Sequence, residues 1–144
     1  MRHIQSAVLV AVAITLAFFA DPIGHAQIVG QVAADIHHSF IVGNATLPPG
    51  NYVFRMLSGS DNNLMSVTSA DGNAGAEFLV NQSVDSHTPR HTELVFDRYG
   101  RKEFLRHIYE RDDKNGVTVA EPSRIEARLQ KQGQTPFEHT EEQK

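Results

Sequence analysis

Five histidines, His37, His38, His87, His91 and His107, carry the side chains of this sequence most suited to metal ligation or proton transfer. Neutral imidazole binds transition metals readily, and its charge changes near neutral pH. Their spacing opposes a site built within one segment. His37 and His38 are neighbours in an alternating stretch and face opposite ways. His87 and His91 flank Pro89 and lie about 13 Å apart in an extended chain. Only a folded loop would bring them together, with Asp85 or Glu93 as a third ligand. The sequence therefore assigns no metal site and no cofactor, and packed or solvated histidines are the reading carried forward.

Nucleophilic and carboxylate chemistry have less support. The chain has no cysteine and no Gly-x-Ser-x-Gly elbow, and Ser58 and Ser60 belong to a turn-rich stretch. Asp97, Glu103 and Glu110 supply carboxylates, but Arg98, Arg101 and Arg106 are interleaved with them, as on a charged sheet face. Gly72 and Gly75 lie in and after a hairpin turn, without the lysine or following helix of a phosphate loop. No enzymatic activity is expected. A formal net charge of −4 provides no basic field for nucleic acid or anionic lipid.

The elements that must position these residues are strands. Ile36, His38, Phe40 and Val42 alternate with His37, Ser39 and Ile41, and Pro48-Pro49-Gly50 then breaks the run. Tyr52, Phe54 and Met56 share a face of the next strand, and the ring of Tyr52 can pack while its hydroxyl reaches backbone. A third strand follows the turn at 58–63, and Asp71-Gly72 marks a tight hairpin into a fourth near Gly75 to Val80. A polar connection from Asn81 to His91 precedes two strands split by Gly100, and Asn115-Gly116 reads as the tip of a turn before a seventh strand. Ser123 and Glu126 have capping-box spacing, which predicts a short helix with Ile125 and Leu129 on its apolar stripe. The pattern is that of an all-β domain, an antiparallel sandwich or small barrel of about seven strands with a short C-terminal helix.

The first 26 residues read as an export signal. A short positive start precedes an apolar run from Ile4 to Ala20, and Gly24 and Ala26 have the small-residue spacing of a cleavage site before Gln27. An uncleaved anchor is the alternative, since the run reaches the roughly 17 residues that can span a bilayer. No second apolar run of that length follows. The expected organisation is a signal peptide over 1–26, an all-β domain with its closing helix over 27–132, and a solvated tail over 133–144. The absence of cysteine suits a bacterial envelope protein, periplasmic or extracellular.

The segments Val42 to Tyr52, Leu94 to Leu105 and Ser123 to Glu126 together resemble a family of small secreted bacterial β-proteins of unknown function. Its pattern is VGN-x-x-LP-x-G-x-Y, then LVF-x-RYG-x-x-x-FL, then S-x-x-E. The resemblance implies secretion and fold but no activity. Ile36-His37-His38 departs from the family pattern, so a role for these histidines would belong to this chain alone. Two functional expectations result. The first is an exported, non-enzymatic protein acting through protein or surface contact, with oligomeric state unassigned. The alternative is a carrier of a small apolar ligand, with Phe40, Tyr52, Phe54, Phe96 and Phe104 lining a barrel interior rather than filling a core.

Overall fold

The computed structural model describes residues 30–57 and 63–144. The expected export segment with its expected cleavage site, and most of the turn after Leu57, lie outside the described residues.

Polarity alternation is read out directly by the first strand, β1 (Gln31–Ile36), which buries Val32, Ala34 and Ile36 and exposes the residues between them. The strand expected to run on through His37 and His38 is interrupted there. It resumes as β2 (Phe40–Val42), buried on both faces, and turns back as β3 (Ala45–Leu47). The Leu-Pro-Pro-Gly bend leads into β4 (Gly50–Met56), where the buried Tyr52 donates its hydroxyl proton to the Pro48 carbonyl at 2.6 Å. β5 (Leu64–Ser69) and β6 (Gly75–Val84) flank the Asp71-Gly72 turn, in which the Asp71 carboxylate accepts from Ser69 and Asn73.

β7 (Thr92–Tyr99) and β8 (Lys102–Tyr109) form a hairpin around Gly100, whose φ of +61° suits a residue without a Cβ. The following turn lies earlier than expected, with Asp112 at φ +63° and the Asp113 carboxylate accepting from the Asn115 amide at 2.8 Å. Asn115 and Gly116 are thus not the turn tip but the start of β9 (Asn115–Val119). Gly116 is required by packing, because a Cβ there would collide with the Ile108 carbonyl oxygen and the Tyr109 ring.

The helix α1 (Arg124–Lys131) starts as its capping box predicts, with Ser123 Oγ accepting from the Glu126 amide at 3.0 Å. Its buried face is a correction. Ile125 is 41% exposed, whereas Glu126 is buried and Leu129 packs on Ile41, Tyr99 and Phe104.

The tail is a second correction. Residues 137–143 are not solvated chain but a strand, β10 (Phe137–Gln143), paired antiparallel with β7 from Phe137 opposite Arg98 to Gln143 opposite Thr92.

There are ten strands among the described residues, rather than about seven. Antiparallel pairing runs β1-β4-β5-β6-β9-β8-β7-β10, and β2 adds to β8 in parallel, with Phe40 opposite Glu103 and Ile41 opposite Phe104. The ten-residue β6 pairs with β5 through its first half and with β9 through its second. The fold is all-β with one short helix near the C-terminus, as the sequence predicts, and its strands form one open, mixed sheet. It surrounds a main core to which every strand from β1 to β9 contributes. The two ends of the pairing path, β1 and β10, come together without a completed ladder, and the Asp35 amide donates instead to Gln143 Oε1 at 2.7 Å. No helix among the described residues is long and apolar enough to cross a membrane.

Candidate functional site

Direct cross-strand partners point to the same side of a sheet. His139 is opposite Phe96 and Glu141 is opposite Leu94, two core residues, so both polar side chains of β10 turn toward the interior at the seam. His38, in the break between β1 and β2, arrives from the other side. Its ring meets Phe96 edge-on at 4.8 Å and lies 5.3 Å from the ring of His139. His38 Nε2 is 3.1 Å from Glu141 Oε1. One ring nitrogen from each histidine and one Glu141 oxygen all lie within 4.8 Å of one another. This constellation joins residues 101 and more positions apart, which is why local spacing could not find it.

Glu103 and Arg98, cross-strand partners on β8 and β7, stand behind it. Glu103 is only 5% exposed and accepts a short hydrogen bond from Arg98 Nε. His139 Nδ1 lies 3.4 Å from either Glu103 oxygen and 3.1 Å from Arg98 Nη2. Arginine can only donate and carboxylate can only accept. The tautomer of His139 therefore decides which neighbour it bonds: with a proton on Nδ1 it donates to Glu103, and without one it accepts from Arg98.

The residues singled out in the sequence fall elsewhere. Phe40, Tyr52, Phe54 and Phe96 are at most 1% exposed in the main core, where Phe40 meets Tyr52 edge-on at 5.1 Å and Phe96 at 6.0 Å. Phe104 belongs to the smaller cluster beneath α1, with its ring 5.6 Å from Tyr99. Mutual ring contact of this kind is core packing. His37 is exposed and pairs with Asp35 at 3.5 Å. His87 does gather Asp85 and Glu93, as a folded loop would allow, but His91 is not part of that group. His87 divides its nitrogens, with Nδ1 3.0 Å from Asp85 and Nε2 3.8 Å from Glu93.

The outer face of β7 and β8 carries a second polar set. The register shifts between Val95 and Phe96, making Arg106 the extra residue, so Arg106 and His107 both turn outward while Leu105 and Ile108 stay in the core. Ser83 Oγ lies 2.9 Å from Tyr109 Oη and 3.5 Å from His107 Nδ1, so its closer partner is the phenol rather than a base. Burial lowers the His107 pKa, with Arg106 adding to the effect. Burial also raises the Asp97 and Glu126 carboxyls; the Asp97 charge raises Glu126 further, and Arg106 opposes both shifts.

A pH signature is expected from this face. A carboxyl whose folded pKa is raised stabilises the fold below its unfolded pKa, and that contribution is lost as pH rises through the folded value. Glu126→Gln should therefore be more stable than the parent at pH 7, with the difference closing as pH falls toward 4.5, the ordinary glutamate value. His107 acts oppositely, since its lowered pKa costs stability as pH falls below 6.5, so the comparison is made between variant and parent at each pH. Urea unfolding across that range measures it, and a gap that widens on acidification would refute the assignment.

No family model, curated protein or solved structure matches this chain.

Proposed function

We propose that the chain is an exported, non-enzymatic protein, periplasmic or extracellular, that works by contact and receives an extended partner strand at the open seam between β1 and β10. The supporting observation is that the two ends of the pairing path face each other across a groove of about 600 Å³. Strand edges carry unused backbone donors and acceptors, the basis of recognition by strand addition. On β1 the Asp35 amide points away from β4 and is met only by the Gln143 side chain. The groove is lined by Asp35, Glu141 and Glu142 against Lys144, so its charge favours a basic strand. The non-enzymatic reading draws on the outer face, where Ser83 lacks the short contact to His107 that an activated nucleophile uses. The carrier alternative is disfavoured by the mutual packing of the aromatic side chains that would line its pocket.

An octapeptide of alternating lysine and valine provides the test. It should bind the chelator-treated protein in a salt-sensitive way, and Asp35→Pro should abolish binding by removing the outward amide while leaving pairing with β4 intact. Binding that survives Asp35→Pro, or no binding by the parent, would overturn strand addition at this edge.

A further inference from the structure

We propose that His38, His139 and Glu141 form a binding site for a divalent transition cation of the Zn²⁺ class, which fastens β10 to the break between β1 and β2 across the seam. The inference stands on the cluster's own geometry; it shares Glu141 with the groove lining, so metal and peptide are tested apart.

Three observations carry it. The first is an unmet electrostatic demand. His38 Nδ1 lies 3.3 Å from the Ser39 carbonyl oxygen, a contact that places the ring proton on Nδ1. The remaining lone pair on Nε2 then faces the Glu141 carboxylate at 3.1 Å, acceptor against acceptor. Among the described residues, His38 Nε2 and Glu141 Oε2 are the buried side-chain polar atoms without a hydrogen-bond partner. Buried atoms of this kind call for a missing proton, water or ion. With neutral histidines, Glu103 and Glu141 outweigh Arg98 by one negative charge, so a cation is the favoured occupant.

The second observation is the support behind the ligands. A metal-bound histidine usually donates its other ring N–H to a carbonyl or carboxylate. His38 has the Ser39 carbonyl for this purpose, and His139 has Glu103, itself held by Arg98. Metal on His139 Nε2 selects the tautomer that donates to Glu103 over the one that accepts from Arg98.

The third is ligand chemistry. Two imidazoles and one carboxylate form a zinc-type donor set with a fourth position for water, whereas Ca²⁺ and Mg²⁺ prefer all-oxygen sites. Donors 2.0–2.1 Å from a tetrahedral ion are separated by roughly 3.4 Å. The His38 to Glu141 contact already meets that spacing, and the donor atoms, all within 4.8 Å, need to close by at most about 1.4 Å. The Asp85, His87 and Glu93 group is the natural control, because it meets the same spacing but offers one imidazole instead of two, on an exposed side chain.

Zn²⁺ titration by calorimetry and Co²⁺ titration by visible absorption, on the metal-stripped parent chain without peptide, test the proposal. One equivalent should bind and raise the melting temperature. Glu141→Gln and His139→Gln should weaken binding by at least roughly 100-fold, more than the 10- to 100-fold expected for the supporting variant Glu103→Gln. His87→Gln should leave it unchanged. Histidine ring ¹⁵N shifts of the unmutated protein should move at His38 and His139 on Zn²⁺ addition, a readout that does not depend on any variant folding. No uptake, uptake unaffected by Glu141→Gln, or uptake lost in His87→Gln would each overturn the site. Because peptide is absent here and metal is absent from the octapeptide assay, failure of one proposal is distinguishable from failure of the other.

Discussion

Phe54→Ala should lower folding stability by about 3–5 kcal/mol, the usual cost of removing a buried aromatic side chain and leaving a cavity behind. Phe54 is fully buried in β4, on the same face as Tyr52, and belongs to the core to which every strand from β1 to β9 contributes. Little local collapse is available. Its neighbours in the ladder, Val32 on β1 and Val67 on β5, are themselves held by pairing on strands of fixed register. Equilibrium urea unfolding measures the loss. If Phe54 instead lined a ligand pocket, the same substitution would alter retention of an apolar compound with little effect on stability. The stability result therefore separates the core from the carrier reading.

Arg98→Met should cost about 3 kcal/mol, because it leaves the Glu103 carboxylate buried without its cation. The lower end of the range for buried pairs applies, since the Arg98 side chain is 40% exposed while that of Glu103 is 6% exposed. The double variant Arg98→Met, Glu103→Leu should recover most of the loss, as burying an apolar pair removes the desolvation penalty of both charges. Chemical denaturation of the two single variants and the double variant measures the coupling. Strictly additive losses would show that the pair is not the unit that the short contact indicates.

The two outcomes bear on different levels of organisation. Phe54 reports on a core that any all-β arrangement of these strands would need. Glu103 and Arg98 report on a polar cluster that exists only because β10 returns to β7 and brings His139 to them.

Much of the fold was legible as periodicity and punctuation. Alternation marked the strands around Phe54, Val67, Phe96 and Ile108, and Asp71-Gly72 and Gly100 marked their turns. Ser123 and Glu126 marked the helix start, and the Tyr52 hydroxyl reached backbone as its place after the double proline suggested. Each of these signals acts over a few residues, where side-chain direction and backbone sterics are set by neighbours in sequence.

What escaped was decided by contacts distant in sequence. β10 carries His139, Glu141 and Gln143 on its inward face, so it has strand alternation without the apolar residues that reveal it. The buried face of α1 holds Glu126 beside Leu129 rather than Ile125, because the surface beneath it combines the apolar cluster of Ile41, Tyr99 and Phe104 with the charges of Asp97 and Arg106. The parallel addition of β2 to β8 and the meeting of His38 with His139 and Glu141 likewise have no local signature. By itself the sequence determined which residues form most of the strands and which aromatics are buried, since burial of alternating apolar side chains is a local pattern with a large free energy behind it. Only the tertiary structure decided where the sheet stays open and which polar groups meet there, because a half-buried histidine or carboxylate takes its meaning from the groups opposite it.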